Sequence, residues 1–544
     1  MNPFLGVFFH WLGGLASGSF YVPYRAVKRW SWETYWLVGG FFSWLIAPWF
    51  FAVLNTTDVI SVLKATPGET WGYTYLFGLL WGMGGLTFGL TMRYLGMSLG
   101  MAVALGYCTV FGTLIPPIFA GEFQAKLLDP INGRYVLAGL AVCVIGIVIT
   151  ALAGKTKESE MSEEQKREHI VDFDFKKGIM VATFSGIMSA CFAFGISAGS
   201  KIEHLTLRTD LVNSAKKAGF SVTALEEPAA DVVANFEKTV AVEVFSDDKT
   251  GIKPNLGMVI ETLEAPAVSQ AKLAELARNS AKLPGDELAK KTSTSQADLA
   301  KQQAASEKAR TLLASSTDPL AKRLIDYATQ MQAAPAAVCL IVDGLSTLDL
   351  KETALAVHKS GADLTAIHAK HALWAGLPRL IVILLGGFTT NFIWCLMLNI
   401  RNKTGYQYFT SQIREQSPPA QVVAGGGEGA PAATGEAFDG RLDKTPVPMI
   451  GNYIFSAMAG VTWYFQFFFY SMGETQMGDY KFSSWTLHMA SIIIFSSIWG
   501  LALKEWRGSS SKAKGLLFLG LLVLVLSTVI VGYGNWLGGG GGGH

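Results

Sequence analysis

The segment GVTWYFQFFFYSMG, residues 460–473, places one uncharged amide, Gln466, inside a run of aromatic and apolar residues. Moving an amide from water into hydrocarbon costs roughly 2–7 kcal/mol unless a partner bonds it. The segment is therefore either a core helix with a satisfied glutamine or one wall of a binding site. It belongs to a mainly apolar stretch, residues 449–471, that is long enough to cross a membrane as a helix.

Ten stretches of this kind dominate the composition of the chain. The 544 residues are 50% hydrophobic and only 16% charged, whereas soluble domains carry roughly 25% charged residues. A helix of about 20 apolar residues crosses a hydrocarbon core of about 30 Å. The stretches lie at 3–24, 34–54, 73–94, 97–120, 132–153, 178–198, 373–398, 449–471, 483–503 and 514–534. The sequence therefore predicts an all-α polytopic membrane protein.

Basic residues are concentrated in the loops that follow odd-numbered stretches. Arg25, Lys28 and Arg29 follow the first stretch, whereas the loops at 55–72 and 472–482 carry a single lysine each. Because cytoplasmic loops are enriched in lysine and arginine, both termini are predicted to face outward.

Two polar segments interrupt the apolar stretches. Residues 199–367 hold nearly half of the charged residues and several helix-forming runs, which predicts an inserted, mainly helical periplasmic domain with short strands at 240–248 and 336–344. The Pro/Gly/Ala-rich residues 404–447 predict a flexible cytoplasmic linker. The remaining predicted divisions are membrane helices 1–6 in 1–198, helix 7 in 368–403, helices 8–10 in 448–537 and a disordered Gly-rich tail in 538–544.

One ungapped alignment relates the third stretch to the eighth. GLTFGLTMRYLG from Gly85 aligns with GVTWYFQFFFYS from Gly460, so that Thr91 matches Gln466. The two stretches are five apart, an odd number, so the two halves would have opposite orientations in the bilayer. Inverted five-helix repeats are typical of transporters with a substrate site near the midplane. The predicted fold is ten transmembrane helices in a 5+5 inverted repeat, plus the inserted extramembrane domain.

Helical geometry places Gln466 on a polar stripe. Steps of three or four residues stay on one helix face. That face comprises Asn452, Ser456, Ala459, Trp463, Gln466 and Tyr470, and the opposite, wholly apolar face comprises Ile454, Met458, Val461, Phe465 and Phe468. An amide, an indole and a phenol suit a sugar, whose hydroxyls bond the amide and whose C–H face stacks on a ring. Hydrogen bonding between packed helices is the alternative.

The stripe supplies most of the predicted substrate-binding residues, and the third stretch supplies an opposing wall. The predicted set is Trp463, Gln466, Tyr470, Asn452, Thr91 and Trp81.

Ionisable residues inside apolar stretches commonly mark transport pathways or proton relays. His10 in the first stretch and His488 in the ninth have similar predicted depths near the outer face. Because imidazole titrates near pH 6.5, we predict that one of them carries a transported proton. A neutral histidine bonded to a neighbouring helix is the alternative. Arg379 lies deeper in the seventh stretch and is expected to pair with a carboxylate that the sequence does not identify.

Several other function classes find no support in the residues. The five cysteines show no disulfide or metal-ligand spacing, and no cluster of nucleophiles or carboxylates has catalytic spacing. We therefore predict no enzyme activity, no cofactor and no metal. With a net charge of +2 and no basic–aromatic cluster, nucleic acid is not a predicted partner. The lipid bilayer is the predicted surrounding, and the partner of residues 199–367 is unknown.

Five motifs occur in order along the predicted membrane portion. They are KRWSWET (28–34), FGLTMRYLGMSLG (88–100), WYFQFFFY (463–470), SSWTLHM (483–489) and LKEW (503–506). Together they resemble the L-rhamnose–proton symporter family of the drug/metabolite transporter superfamily. The resemblance implies ten helices from a five-helix duplication, and uptake of L-rhamnose with protons across the bacterial inner membrane. It also allows L-lyxose as a substrate.

The chain departs from that family pattern in two places, the insertion at 199–367 and the long linker at 404–447. Two other functions therefore stay open: transport of a different small metabolite, and a membrane receptor or sensor with a periplasmic ligand domain.

Overall fold

The computed structural model describes residues 2–95, 97–160, 175–246, 253–278, 285–412 and 446–537. Over these ranges the chain is helical, with no strand. It divides into two compact units: Met1–Glu203 with Leu373–Gly542, as far as these are described, and His204–Ala372. The predicted tail at 538–544 and residues 413–445 of the predicted linker lie outside the described residues.

The first unit contains both long and short helices. They are α1 (Pro3–Ser19), α2 (Tyr21–Tyr24), α3 (Trp32–Gly40), α4 (Ala47–Asn55), α5 (Val59–Ala65), α6 (Gly68–Leu95), α7 (Met97–Phe119), α8 (Ile131–Ser159), α9 (Phe175–Ala198), the start of α10 (Ser200–Lys217), α19 (Leu377–Asn402), α20 (Met449–Glu474), α21 (Ser484–Ala502) and α22 (Ser511–Trp536). A π-helical segment, Phe41–Ile46, joins α3 to α4.

Seven helical segments are long and apolar enough to cross a membrane, judged by length and composition within the described ranges. They are Trp32–Asn55, Gly100–Phe119, Ile131–Ser159, Phe175–Lys217, Leu377–Asn402, Tyr480–Ala502 and Ser511–Trp536. The prediction of a polytopic all-α membrane protein is thus confirmed. The other three predicted stretches correspond to α1, α6 and α20, which are helical but not among the seven.

The helices of the first unit pack in a recurring pattern. The α6 helix packs on α9 and α19, whereas α20 packs on α1 and α3. The α7 helix packs on α9, and α21 packs on α1. The α8 helix packs on α7 and α22, and α22 also packs on α21.

Glycines permit the closest of these helix contacts. A Cβ added at Gly460 of α20 would lie 2.1 Å from the backbone oxygen of Gly39 in α3. A Cβ at Gly78 of α6 would lie 2.0 Å from the backbone oxygen of Ile383 in α19. Small residues of this kind let membrane helices approach closely. An added Cβ at Gly85, in contrast, meets no described atom within 4 Å.

The start of the predicted linker is folded. Residues Gly405–Tyr408 form a 3-10 helix, and Gln407 is buried. The Gln407 side-chain oxygen accepts hydrogen bonds from the backbone N–H and hydroxyl of Ser31, at 2.7 and 2.9 Å, and from the Thr34 hydroxyl at 3.0 Å. A flexible segment therefore cannot begin as early as residue 404, because these bonds hold the turn against the start of α3.

The second unit is also built of helices. They are the remainder of α10, followed by α11 (Ala230–Phe236), α12 (Val242–Val244), α13 (Leu256–Arg278), α14 (Gly285–Ser315), α15 (Pro319–Gln332), α16 (Ala336–Asp343), α17 (Leu348–Lys359) and α18 (Leu364–His371). The predicted strands at 240–248 and 336–344 are wrong where described. Short apolar runs of this length do not distinguish a strand from a buried helix, and tertiary packing selects the helix.

Buried ion pairs connect different helices of the second unit. The Lys351 Nζ donates to both carboxylate oxygens of Glu264, at 2.8 and 2.9 Å, and the Tyr327 hydroxyl also donates to Glu264. Burial raises the pKa of Glu264 above its ordinary value, although Lys351 opposes that change. Burial acts in the same direction on Asp349, but there the contacts with His204, at 2.6 Å, and Arg208, at 3.1 Å, lower the pKa overall.

Candidate functional site

The polar stripe of α20 faces the interior of the first unit. All six of its members are buried: Asn452, Ser456, Ala459, Trp463, Gln466 and Tyr470. On the opposite face, Ile454 and Met458 are about half exposed, at 52% and 50%. Phe468 is an exception to the predicted apolar outer face, since it is buried against Phe51 and Trp374. The helical periodicity therefore predicted correctly which side of α20 points inward.

Two of the predicted site histidines meet on either side of Tyr470. The ring centroids of His10 and Tyr470 lie 5.3 Å apart, those of Tyr470 and His488 lie 5.2 Å apart, and the two imidazoles lie 6.5 Å apart. His10 is fully buried and His488 is 2% exposed. Residues from α1, α20 and α21 thus form one cluster, which we call the His–Tyr–His cluster, and its member His10 lies hundreds of positions from the other two.

Glycine contacts place Gln466 next to this cluster. A Cβ added at Gly13 of α1 would lie 3.0 Å from the backbone oxygen of Gln466 and 3.4 Å from the His488 ring. A Cβ at Gly473 would lie 2.8 Å from the His10 ring. Gln466 and Tyr470 are four residues apart, one turn or about 6 Å along the helix axis. The amide and the His–Tyr–His cluster therefore belong to one site.

Several nitrogens of this site have no hydrogen-bond partner among the described residues. They are both ring nitrogens of His10, Nδ1 of His488, Nε2 of Gln466 and Nε1 of Trp463. Most buried polar side-chain atoms in proteins are bonded, and each unsatisfied group costs about 1–3 kcal/mol. A group of unsatisfied donors and acceptors on one interior face is therefore suited to a polyhydroxylated solute and to proton exchange.

Aromatic rings line the site on both sides of Gln466. Trp463 packs against Phe20, with ring centroids 4.0 Å apart, and lies 6.1 Å from Phe467. Trp81 of α6 also packs on Phe467, at 5.3 Å, and on Phe192, at 5.3 Å. The structure therefore brings the predicted wall residue Trp81 next to the stripe helix, through Phe467.

Sequence reasoning missed two aromatic members of the site. Phe192 of α9 and Trp485 of α21 stack with centroids 5.8 Å apart, and Tyr470 lies 5.8 Å from Trp485 and 6.1 Å from Phe192. Trp485 donates its indole N–H to the backbone oxygen of Cys108 at 2.9 Å. The sequence contains one signal for Trp485 as a site residue. It lies one helical turn before His488 in the SSWTLHM motif.

Asn452 has a structural role at the far end of α20. Its side chain accepts from the Lys28 backbone N–H at 3.0 Å and donates to the Lys28 backbone oxygen at 2.8 Å. It lies 14 residues from Gln466, about 21 Å along the helix at 1.5 Å per residue. Its amide is already paired with backbone at this distance from Gln466, so Asn452 is not among the residues of the proposed sugar site.

Thr91 is buried, and its hydroxyl donates to the Thr87 backbone oxygen in its own helix at 3.3 Å. This local bond satisfies the hydroxyl without a contact to Gln466.

The unidentified carboxylate partner of Arg379 is Glu474, together with Glu203. Arg379 Nη2 lies 2.5 Å from Glu474 Oε2, and Arg379 Nη1 lies 2.7 Å from Glu203 Oε2. Lys481 Nζ lies 3.1 Å from Glu203 Oε1. We call these four residues the ion-pair network. Glu474 continues the polar stripe one turn beyond Tyr470, and this spacing is the sequence signal for the partner of Arg379.

Comparisons with known proteins place these segments in a family. A family model described as L-rhamnose-proton symport protein (RhaT) matches residues 2–218 and 442–536, more than half of the chain. The L-rhamnose-proton symporters of Klebsiella pneumoniae subsp. pneumoniae and of Yersinia pestis are each 25% identical to the chain over 531 residues, covering 97% of this chain and 97% of theirs. No solved structure was found to match the chain.

Proposed function

The chain belongs to the L-rhamnose–proton symporter family, and from this premise we propose that it imports L-rhamnose together with protons by alternating access. It is a transporter and not an enzyme. The assignment rests on one observation: Gln466, Tyr470, His10 and His488 lie close together in the interior of the first unit. All four are within the ranges that the family model matches. A sugar hydroxyl can accept from the free Gln466 amide while the aromatic rings take up its C–H face.

Uptake of radiolabelled L-rhamnose by purified protein in liposomes tests this function. Accumulation against the sugar gradient is expected when an inward proton gradient is imposed, and a protonophore should abolish it. L-lyxose and unrelated small metabolites serve as competitors, which separates rhamnose transport from transport of a different metabolite. Absence of both binding and flux would contradict the proposal and favour a receptor whose ligand binds residues 204–372.

The sugar site in this proposal comprises Trp463, Gln466 and Tyr470 of α20 and Trp81 of α6. Support comes from the unpartnered Trp463 and Gln466 nitrogens and from the shared contact of the two tryptophans with Phe467. A hydroxylated ligand there would satisfy the buried donors. Thr91 stays a predicted site residue on the same helix as Trp81.

The proton in this proposal is carried by His10 or His488. Both imidazoles are buried beside Tyr470, so a change in the charge of either ring is felt at the sugar site. This proximity supports coupling. A group transmits the proton gradient when its protonation alters sugar binding or the conformational equilibrium.

Replacing the coupling histidine is expected to separate exchange from accumulation. In one of the two variants, His10→Gln or His488→Gln, sugar exchange without a proton gradient should persist while uphill accumulation disappears, because glutamine cannot take up the proton. Both activities are measured in the same liposomes with equal amounts of protein. If both variants still concentrate L-rhamnose, the proton is carried elsewhere.

We further infer that the first unit is a ten-helix 5+5 inverted repeat. Its first half is α1, α3 with α4, α6, α7 and α8, and its second half is α9, α19, α20, α21 and α22. The packing supports this arrangement, since the most extensive contacts recur when both helices are exchanged for their counterparts: α6 with α9 becomes α20 with α1, and α7 with α9 becomes α21 with α1. Transporters built this way bind substrate between the halves.

The contacts favour a different register for this repeat from the one predicted. Gly78 of α6 closely approaches the backbone oxygen of Ile383 in α19, and Gly460 of α20 closely approaches that of Gly39 in α3. These two helix pairs are equivalent in the proposed repeat. Gly85, in contrast, has no described atom near its added Cβ. Aligning Gly78 with Gly460 also pairs Trp81 with Trp463. The register predicted from Gly85 differs from this one by seven residues, about two helical turns.

Alanine substitutions distinguish the two registers. Gly460→Ala and Gly78→Ala should each reduce the yield of folded protein, because the methyl group overlaps a backbone oxygen that cannot move without shifting a helix; overpacking of this kind costs at least about 1–3 kcal/mol. Gly85→Ala is the matched control and should behave as the wild type. The measurement is the thermal melting of detergent-solubilised protein, and equal melting of all three variants would contradict this packing.

The proposed location is the bacterial inner membrane, with both termini outward. In that topology residues 204–372 are periplasmic, and their partner is unidentified. The basic loops after odd-numbered stretches support the orientation.

A further inference from the structure

The ion-pair network buries charged groups at a cost in desolvation free energy. Its residues are not among those of the proposed sugar site. The Arg379 side chain is 1% exposed, and those of Glu474 and Glu203 are 6% and 13% exposed. Taking charges out of water costs several kcal/mol for each ion, so a buried network often contributes little to stability. Ionisable groups inside a membrane protein are therefore candidates for function first.

The network joins four separate segments of the first unit. Glu203 lies at the start of α10, Arg379 at the start of α19, Glu474 at the end of α20 and Lys481 in the 3-10 helix Gly478–Ser483. In the proposed topology all four lie at the outer end of their helices. Any movement that opens the site to the outside must separate these segments, so the network as described corresponds to a closed outer side.

Glu474 connects the network to the His–Tyr–His cluster. It follows Tyr470 by four residues on α20, so the two side chains lie on the same face one turn apart. The neighbouring glycine, Gly473, packs directly against the His10 ring. A proton that reaches Glu474 from outside is thus one helical turn from the residues that bind sugar and exchange protons.

The charge balance of the network depends on the ionisation of Glu474. The groups that face it are the cations Arg379 and Lys481, the carboxylate Glu203 and the phenol Tyr470. With both carboxylates ionised, two positive charges are balanced by two negative charges. Protonation of Glu474 leaves two cations facing a single carboxylate in a buried environment, which weakens the contact between α19 and α20.

We propose that Glu474 is the outer proton acceptor of the transport cycle, and that its protonation releases Arg379 and opens the network above the sugar site. This inference rests on the proposed symport function and adds to it the residue at which the proton first binds. Proton binding and opening of the outer side are then coupled. The Glu474 carboxylate accepts the proton, and in its ionised form it binds Arg379.

The test compares Glu474→Gln with Glu203→Gln, which removes the other carboxylate bound to the same guanidinium. In liposomes Glu474→Gln should keep L-rhamnose exchange, lose its dependence on pH, and lose accumulation under an imposed proton gradient. Glu203→Gln weakens the network but keeps the titratable Arg379–Glu474 pair, so proton-driven accumulation should persist at a reduced level. Wild-type-like accumulation by Glu474→Gln overturns this inference alone. If the wild type exchanges no L-rhamnose, the proposed function fails and the inference fails with it.

A second measurement needs no variant and covers the case in which Glu474→Gln does not fold. Dicyclohexylcarbodiimide reacts with protonated carboxyl groups in apolar surroundings, and mass spectrometry locates the modified residue. In the wild type we expect modification of Glu474 but not Glu203, with a yield that falls as the pH rises and parallels the loss of uptake. Unmodified Glu474 throughout the pH range of active transport overturns the inference.

Discussion

Gln466→Ala is expected to raise the Kd for L-rhamnose roughly tenfold to a hundredfold while leaving the amount of folded protein unchanged. The Gln466 side chain is 2% exposed, and its Nε2 has no partner among the described residues. Its removal therefore breaks no hydrogen bond of the free protein that the structure describes, but it deprives a bound sugar of a buried donor. Losing such a bond costs about 1–3 kcal/mol, and each 1.4 kcal/mol is a factor of ten in affinity.

The affinity is measured by calorimetry or by scintillation proximity on purified protein. Gln476→Ala is the matched control, because it removes the same amide from a residue whose side-chain oxygen instead accepts from the Asn2 backbone N–H at 3.2 Å, at an exposed position. The control should bind with wild-type affinity. Unchanged affinity in Gln466→Ala would assign this glutamine to helix packing alone.

Arg379→Gln is expected to cause the largest loss of stability of any substitution considered. It leaves Glu474 and Glu203 buried without the guanidinium that bonds both, and breaking a buried pair by removing one partner typically costs about 3–5 kcal/mol. Arg379 also donates to the backbone oxygen of Ile196 at 3.1 Å, so the end of α9 loses a contact as well. Thermal melting in detergent and the monodisperse fraction on size-exclusion chromatography report the effect.

Two further variants separate charge burial from general damage. Arg379→Leu combined with Glu474→Leu removes both the cation and one carboxylate, and should recover much of the stability, since Glu203 keeps Lys481 as a partner. Arg25→Gln breaks the more exposed pair with Glu505, whose side chains are 50% and 29% exposed, and should cost no more than about 1 kcal/mol. Equal destabilisation by Arg379→Gln and Arg25→Gln would show that the buried network carries no special energetic weight.

The two predictions separate binding from architecture. Gln466 lies where the free protein does not use its donor, so its loss acts on the ligand. Arg379 lies where the free protein uses both terminal nitrogens of the guanidinium, so its loss acts on the fold. A transporter needs both kinds of polar residue in its interior, and their hydrogen-bond partners distinguish them.

The sequence by itself determined the membrane character of the chain, its helical class and the inward face of α20. These follow from local properties: apolar length decides whether a helix can cross hydrocarbon, and the 3.6-residue period decides which side chains share a face. It also singled out His10 and His488 as unusual in their surroundings, and the motifs from Lys28 to Trp506 indicated the family that the comparisons confirm.

Only the tertiary structure decided which residues act together. It joined His10 to His488 through Tyr470, gave Arg379 its partners, and paired Asn452 with the Lys28 backbone. Each of these facts is a contact between helices far apart in the chain. Hydropathy and periodicity describe one helix at a time, whereas the azimuth and depth at which two helices meet depend on close packing between them.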